Sequence, residues 1–261
     1  DPDIVHVTGS VDPVRDIGIV ETELILSDVE TVQKRAEKIA KDVKRGDKHA
    51  AIEAQLLAKF AAHLDAGHPA STLGSPLSPE EKAIARGFFL LTDKPTVFAA
   101  NVKESQLGGI DSNPEVQKVR AFAAAHRGCD TVAMSAQLES DLADLSPAEG
   151  AEFLKELGIA ESGLSALIRT VYRVLGLRTF FTFNDKEVRA WTIHSGDTAS
   201  KAAGTIHTDF ERGFIKAETI HCEDLVKQGS VARARETGHY RIEGRDYVVR
   251  DGDVMLFRFN V

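Results

Sequence analysis

Cysteines, long apolar runs and metal-binding motifs are scarce in this chain of 261 residues. Only Cys129 and Cys222 occur, far apart and in no C-x-x-C pair, which excludes a disulfide framework and a zinc ribbon. No run of 18 apolar residues exists, so we expect no membrane-spanning helix and no membrane partner. The nine histidines form no H-E-x-x-H motif, and we predict no metal site made by this chain. The cysteine usage indicates a reducing, cytoplasmic location.

The charge is unevenly distributed. The net charge of −8 argues against a surface that clamps nucleic acid throughout, although a local basic face is compatible with it. From residue 186 onward there are 12 basic and 12 acidic side chains, so the whole negative surplus lies upstream. The first residues carry no signal peptide, and an apolar segment at 4–7 begins almost at once. We interpret this start as a truncation, with a processed terminus as the alternative.

The first third of the chain has the apolar spacing of helices. Apolar residues three or four apart predict a long helix from Ile17 to near Gly46, and a second helix from Ala50 to Leu64. The short connection between them predicts an antiparallel helical hairpin. A loop rich in Gly, Pro and Ser follows at 67–79, and Ser78 caps the next helix.

The middle of the chain alternates strands and helices. Residues 94–102 form a continuous apolar run, which is typical of a parallel strand buried on both faces. A helix at 114–125, a strand at 130–135 and helical segments at 147–157 and 163–175 continue the pattern of βαβ units. Beyond residue 178, short strand-like runs at 187–193 and 247–249 predict a separate small α+β module.

A polar tetrapeptide, Asn101-Val102-Lys103-Glu104, follows the apolar strand, at the edge where open α/β sheets bind ligands. P-loop GTPases carry Asn-Lys-x-Asp here, and the Asp reads guanine. In this chain Glu104 takes the last position and the Lys is displaced by one, which weakens guanine selection and favours ATP. A strand-end Asn that satisfies a turn, beside a solvated Glu, is the alternative.

A second strand ends in Ser135-Ala136-Gln137, about thirty residues later. In the fold of P-loop GTPases, the segment that follows this strand brings backbone amides to the nucleotide base. Ser135 can instead cap the following helix, and both roles are compatible.

Long segments of the chain resemble the YchF family of Obg-like ATPases. The resemblance extends over residues 3–13, 21–28, 91–95, 101–104, 188–193, 203–215 and 244–254. It implies an α/β fold: an incomplete P-loop NTPase-type parallel sheet, an inserted antiparallel helical hairpin and a C-terminal β-grasp (ubiquitin-like, α+β) TGS domain. The expected organisation is a nucleotide-binding domain at 1–16 and 87–177, a helical coiled-coil insertion at 17–86 and the TGS domain at 178–261.

The resemblance also implies a function. Family members are expected to bind and hydrolyse ATP with Mg²⁺ in preference to GTP, and to act on the ribosome, at the large subunit and its RNA, in translation and stress regulation. The nucleotide-binding residues carried over are Asn101, Val102, Glu104, Ser135, Ala136 and Gln137. No G-x-x-x-x-G-K-[S/T] motif and no Gly-Lys pair occurs, so we assign no catalytic residue and expect this chain alone to be inactive. A GTPase of the Obg family and a non-catalytic ribosome- or RNA-binding module are the alternatives.

Two groups of basic residues are candidates for RNA contact, because Lys and Arg meet phosphates. For both groups, an ordinary solvated surface is the competing interpretation. The group in the predicted TGS domain is Arg189, Lys201, Lys216, Arg233, Arg235, Arg241 and Arg245. The group on the predicted helical hairpin is Lys34, Arg35, Lys38, Lys41, Lys44 and Arg45.

Overall fold

A computed structural model describes residues 9, 11–74, 76–126, 128–184 and 187–260 of the chain. The chain divides into two compact units, Asp1–Thr170 and Val171–Val261. No helix within these described ranges is both long enough and apolar enough to span a bilayer. The predicted strand at 4–7 lies outside the described residues.

The first unit is mainly helical. Its helices are α1 (Pro13–Lys44), α2 (Lys48–Asp65), α3 (Pro79–Arg86), α4 (Glu104–Leu107), α5 (Pro114–Ala125), α6 (Ala136–Ala143), α7 (Pro147–Glu156) and α8 (Gly163–Val174), the last of which contains the boundary between the units. Single 3-10 turns occur at Ala70–Thr72, Leu91–Asp93 and Ile110–Ser112.

Local signals explain where the first two helices begin and end. Helix α1 begins four residues before the predicted Ile17, because the Asp12 side chain accepts a hydrogen bond from the Arg15 amide and Pro13 occupies the first turn. After Lys44 the chain turns through Gly46, which has a φ of +82°. Asp47 then caps α2 by accepting from the Ala50 amide.

Helices α1 and α2 pack against each other around a continuous apolar core. That core also takes in residues from the 3-10 turn at Ala70–Thr72, from α3 and from the segment after α3. Its buried members are Ile25, Val32, Ile39, Leu56, Leu57, Phe60, Leu64, Ala70, Ala85, Phe88 and Leu90. One buried carboxylate joins α1 to the segment that leads into the next strand. Asp28, 1% exposed, accepts from the Leu91 amide at 2.7 Å and from the Thr92 amide and hydroxyl at 2.8 and 2.7 Å.

Two strands, β1 (Thr96–Asn101) and β2 (Cys129–Met134), pair in parallel across the α5 crossover. The predicted parallel α/β arrangement is therefore present. The expectation that the first strand is buried on both faces is wrong for this chain, because Thr96, Ala99 and Asn101 are exposed. The physical reason is that, in the part of the chain that is described, β1 pairs with β2 alone.

The second unit is a five-stranded mixed sheet with helices. Its strands, in the spatial order β4-β3-β7-β5-β6, are β3 (Leu177–Phe183), β4 (Val188–His194), β5 (Phe214–His221), β6 (Arg241–Glu243) and β7 (Asp253–Phe259). Its helices are α9 (Ala199–Ile206), α10 (Thr208–Arg212), α11 (Cys222–Gln228) and α12 (Val231–Glu236). The strand-like run at 247–249 is not a regular strand, since it makes one isolated bridge, between Val248 and Thr198.

Two apolar clusters hold this sheet. The larger contains Phe180, Ile193, Ala199, Ala202, Ala203, Phe214, Ala217, Val249, Met255 and Phe257, and the smaller contains Ile220, Ala234 and Val254. Alternate residues of β3 contribute to different clusters, because successive strand side chains point to opposite faces. Phe180 packs in the larger cluster, whereas Phe181 and Phe183 pack against the smaller one.

Candidate functional site

The carboxyl ends of β1 and β2 lie side by side. Asn101 is paired in register with Met134, and the Val102 amide donates to the Met134 carbonyl at 2.8 Å. Beyond the last pair, the Asn101 side-chain oxygen accepts a hydrogen bond from the Ala136 amide at 2.9 Å. The structure therefore brings together the two sequence segments that were predicted to share a site.

The Asn101 side chain is oriented by this bond. Only its carbonyl oxygen can accept from a backbone N–H, so its amide nitrogen is directed elsewhere with two hydrogens to donate. Asn101 is exposed, and so are Ala136 and Gln137 across from it. This edge thus presents a fixed, solvent-accessible amide donor beside the first turn of α6.

Ser135 lies beneath this edge rather than on it. The side chain is 2% exposed, and its hydroxyl accepts from the Leu138 amide at 3.4 Å, which caps α6. The helix-cap interpretation of Ser135 is confirmed by this bond. Gln137 donates to the Asp141 carboxylate at 2.9 Å along the exposed side of the same helix.

Glu104 stands at the start of α4, three residues after Asn101, and is partly buried. Lys103 precedes it, and the Lys103 amide donates to the Gln106 side chain at 3.1 Å. Within the described ranges, Glu104 makes no hydrogen bond or ion pair. Its carboxylate is therefore available to a ligand on this side of the strand ends.

A glycine allows α8 to begin next to the end of β2. A Cβ on Gly163 would lie 2.4 Å from the Cβ of Met134, so no larger residue fits without movement. The Gly163 amide donates to the Glu139 carboxylate of α6 at 2.7 Å. The sequence pattern placed a helix start at Gly163 but did not reveal this contact, because only the folded chain brings residues 134 and 163 together.

A cavity of about 500 Å³ lies beside the same strand, between the beginning of α1, β1 and α5. Apolar side chains form most of its wall, among them Val20, Leu24, Phe98 and Val116, and Asn101 and Val102 lie at its border. No local pattern in the sequence signals this cavity, because its lining comes from segments that are far apart in the chain. Cys129 also lines it, and burial, together with the charge of Glu21, raises the pKa of that thiol.

The predicted RNA-contacting residues of the second unit are mostly engaged with internal partners. Lys201 pairs with Asp197 at 2.7 Å, and Arg189 pairs with Glu187 at 3.1 Å. Arg245 donates to the Ser200 hydroxyl at 3.1 Å.

A single carboxylate organises several of the other cations. Glu218 pairs with Arg258 at 3.0 Å and with Arg235 at 3.4 Å, and it accepts a short hydrogen bond from the Tyr240 hydroxyl. The hydrogen bonds from Arg258 and Tyr240 lower the pKa of Glu218 from 4.5 to about 2. Arg241 pairs in turn with Glu243 at 2.9 Å, so this part of the unit uses its cations to stabilise its own sheet.

Parallel strands with polar residues at adjacent carboxyl ends define an α/β protein with a candidate ligand site at that edge of the sheet. Comparison with known proteins makes this class specific. A protein-family profile for the C-terminal region of YchF GTPases, described as "Protein of unknown function (DUF933)", matches residues 177–260. The chain is 44% identical over 261 residues to the ribosome-binding ATPase YchF of Bacillus subtilis, covering 100% of this chain and 70% of that protein.

Other relatives give the same result. The ribosome-binding ATPase YchF of Escherichia coli O157:H7 is 46% identical over 258 residues, with 99% of this chain and 69% of that protein covered. The solved structure of the Schizosaccharomyces pombe YchF GTPase superposes with a TM-score of 0.77 at 32% identity, covering 99% of this chain and 69% of that one. The chain belongs to the YchF family of Obg-like ATPases.

Membership of an ATPase family implies a nucleotide and a magnesium ion. The exposed amide of Asn101 and the free carboxylate of Glu104 fit the base end of a nucleotide. Nothing comparable fits the phosphate end: the 261 residues contain no Gly-Lys pair, and the described residues hold no group of three or more His, Cys, Asp or Glu placed for a metal. We therefore derive no hydrolytic step from this chain.

Proposed function

We propose that this chain supplies the base-recognition half of a cytoplasmic, ribosome-associated ATPase, and that Asn101, Val102, Glu104, Ser135, Ala136 and Gln137 form the adenine site. The observation that carries the proposal is the 2.9 Å bond between the Asn101 side-chain oxygen and the Ala136 amide. That bond holds two strand ends together and leaves one side-chain amide to read a purine.

The chemistry of the edge suits a purine ring. The Asn101 amide hydrogens can be donated to a ring nitrogen such as N7, which is an acceptor in both adenine and guanine. The exposed first turn of α6, at Ala136 and Gln137, borders the same space. Ser135 contributes indirectly, since its buried hydroxyl caps α6 and so positions that turn.

Glu104 is the residue that selects between the bases in this proposal. Guanine offers two adjacent donors, the N1–H and the exocyclic amine, which a correctly placed carboxylate accepts together. Adenine offers a single exocyclic amine next to an acceptor nitrogen. A Glu rather than an Asp, with the Lys displaced by one, favours the single-donor base, and ATP is therefore preferred to GTP.

The remaining parts of the proposal rest on the family. The relatives that share 44–46% identity with this chain are named as ribosome-binding ATPases, which supports a ribosomal partner. We extend this to the large subunit and its RNA, to a role in translation and stress, and to a β-grasp TGS domain at 178–261. We assign the P-loop and the magnesium ligands to the part of the relatives' chains with which these 261 residues do not align.

Titration with nucleosides tests the base site without requiring a phosphate site. We expect adenosine to shift the backbone amide signals of Val102, Ala136 and Gln137 in heteronuclear NMR spectra of the chain, more strongly than guanosine does. Equal or stronger binding of guanosine would replace the proposed function with a GTPase.

Asn101→Asp is the decisive variant. An Asp keeps the oxygen that accepts from the Ala136 amide but loses the donor, and its charge repels the purine acceptor. We expect wild-type stability and at least a tenfold loss of adenosine affinity, since one hydrogen bond to a neutral partner contributes about 0.5–1.5 kcal/mol and repulsion adds to it. Gln117→Ala, which removes another exposed amide of the same unit, is the matched control. Unchanged adenosine binding by Asn101→Asp would refute the site.

A further inference from the structure

The sheet of the second unit has two edges that differ in how well they are protected from pairing with another chain. One edge is β6, which has only three residues, and two of them, Arg241 and Glu243, are charged. Short and charged edge strands discourage such pairing. The other edge is β4, which has seven residues, contains no Pro, Gly or Lys and pairs with β3 without a bulge. The edge at β4 therefore carries none of these protective features.

Alternate residues of β4 direct their backbone N–H and C=O groups away from β3. In an antiparallel pair, only every second residue exchanges hydrogen bonds with the neighbouring strand. The bonds at the two ends of the pair show which residues these are. The Asn184 amide donates to the Glu187 carbonyl at 3.0 Å, and the Ser195 amide donates to the Gly176 carbonyl at 2.6 Å. Since the register between these bonds is continuous, the odd-numbered residues of β4 bond to β3 and the even-numbered residues face the outer edge.

Three residues of β4 present unpaired backbone groups at this edge: Val188, Ala190 and Thr192. The fourth even-numbered residue is engaged, because the His194 amide donates to the Asp197 carboxylate at 2.9 Å. All three are exposed, Val188 by 72%. Within residues 187–260, no strand other than β3 pairs with β4. The edge thus offers a row of backbone donors and acceptors about 13 Å long.

We propose that the outer edge of β4 binds the same edge of a second copy of this chain, in an antiparallel pair centred on Ala190. A two-fold axis at Ala190 places that residue opposite itself and Val188 opposite Thr192 of the second copy. Each of these opposed pairs exchanges two hydrogen bonds, and the two sheets become one continuous sheet. An axis one residue earlier places Thr192 opposite a residue outside β4. An axis one residue later places Val188 opposite His194, whose amide is occupied by Asp197.

The charges of β4 favour the same register and a second copy as the partner. With the axis at Ala190, Arg189 of one copy lies opposite Trp191 of the second copy. Within one copy the Arg189 Cζ already lies 5.9 Å from the centroid of the Trp191 ring, so cation and ring share a face of the sheet and attract each other across the axis. An axis at Arg189 would instead oppose two arginines, which is destabilising.

The edge also carries little net charge. Glu187 pairs with Arg189 at 3.1 Å within one copy, so the two side chains neutralise each other. A neutral strand does not repel its own copy, and it offers no complementary field to a strongly acidic or strongly basic partner.

The dimer is expected to be weak. One pair of edge strands buries less than the roughly 1,200 Å² of a standard interface, so we expect a Kd of about 100 µM. The inference does not depend on the proposed base site, which lies in the other unit.

The test is analytical ultracentrifugation of the full chain at concentrations from about 5 to about 500 µM, which span the expected Kd. We expect the weight-average mass to rise with concentration from the 28.4 kDa of the monomer toward twice that value. A mass that stays at 28.4 kDa over the whole range overturns the inference.

Ala190→Pro removes one outward N–H group and no hydrogen bond to β3. Proline is tolerated on edge strands where the N–H faces solvent, so urea unfolding followed by the fluorescence of Trp191 is expected to be unchanged. We expect association to weaken at least tenfold. A dimer with the wild-type Kd in this variant overturns the inference, because another surface must then hold the two copies together.

A charge exchange tests the register without a change in the backbone. Val188→Lys/Thr192→Lys opposes two lysines in each outer pair, and Val188→Glu/Thr192→Glu opposes two glutamates. Both positions are exposed, so we expect both variants to fold. Each variant alone is expected to associate at least tenfold more weakly than the wild type, whereas an equimolar mixture of the two recovers wild-type association, because opposite charges then face each other. A mixture that stays monomeric overturns the proposed pairing.

The matched control is Val226→Lys/Ile242→Lys, which adds the same charge at apolar positions of the same unit that are 81% and 65% exposed and lie outside β4. We expect less than a twofold change in Kd. An equal loss in this control and in Val188→Lys/Thr192→Lys would show that association reflects overall charge, which overturns the inference. Asn101→Asp is expected to dimerise like the wild type, so failure of the adenine site and failure of the β4 edge are seen in different variants.

Discussion

Asp28 is the side chain whose replacement tests the architecture of the first unit most sharply. Its carboxylate is 1% exposed and accepts three hydrogen bonds, from the Leu91 amide and from the amide and hydroxyl of Thr92. The Thr92 hydroxyl in turn accepts from the Ala70 amide at 2.8 Å, so one chain of bonds joins α1, the turn after α2 and the segment entering β1.

The magnitude for Asp28→Ala follows from these contacts. Hydrogen bonds to a charged acceptor contribute about 1.5–3 kcal/mol each, and a buried amide left unpaired adds a desolvation penalty. The Leu91 amide can regain water, because Leu91 is 41% exposed, whereas Thr92 is 7% exposed and cannot. We expect the free energy of unfolding to fall by about 4 kcal/mol, which at a urea m-value near 2 kcal/mol/M moves the midpoint by about 2 M.

Two optical signals separate the units in this measurement. Far-UV circular dichroism reports mainly the long helices of the first unit, and Trp191, the single tryptophan, reports the second. Asp28→Ala is expected to shift the helical transition while the fluorescence transition stays in place. Asp42→Ala, on the exposed side of the same helix, should change stability by less than about 0.5 kcal/mol. If Asp28→Ala is no more destabilising than Asp42→Ala, the three-bond account is wrong.

Three other perturbations address single features of the chain. Since the folded-state pKa of Glu218 is about 2 instead of 4.5, its contribution to stability is present above pH 4.5 and is lost as the pH falls toward 2. Glu218→Gln has no carboxylate to pair with Arg258, so the loss of stability in acid, followed by fluorescence, should be smaller in this variant. Phe89 has a φ of +54° and is 78% exposed, so Phe89→Asn should raise the free energy of unfolding by about 1 kcal/mol in urea, and a decrease would contradict the strain argument. Gly213→Ala places a Cβ 1.9 Å from the Asn260 carbonyl oxygen and should destabilise the second unit by more than about 2 kcal/mol, measured by fluorescence; an unchanged midpoint would contradict it.

Residues with local structural signals were the ones that sequence analysis placed well. Pro114 and Asn113 mark the start of α5, which spans the predicted 114–125, and Ser78 forms the capping box of α3. The strand ends at Asn101 and Met134 were located within one residue, because the apolar runs stop there. Helix α1 was placed four residues late, since Asp12 and Pro13 were read as a turn when they are a cap and a first-turn proline.

Features that depend on distant residues were not predictable from local patterns. The strand β3 was missed, although Phe180 is central to the larger core of the second unit, because its alternation is masked by aromatic residues on both faces. The burial of β1 was overestimated, since an apolar run does not report how many strands flank it. The interaction of Asp28 with Thr92 spans 64 residues and left no signal in the sequence.

The sequence by itself determined the family, the order of the longer helices and of the two strands in the first unit, and the polar residues at two strand ends, because caps, prolines and apolar periodicity act over a few residues. Only the tertiary structure decided which of those residues meet. It turned the Asn101 oxygen toward Ala136, buried Ser135, and left Lys38 and Lys41 without ionic partners in the described part of the chain. Such contacts depend on how far-apart segments pack, and packing is a property of the folded chain as a whole.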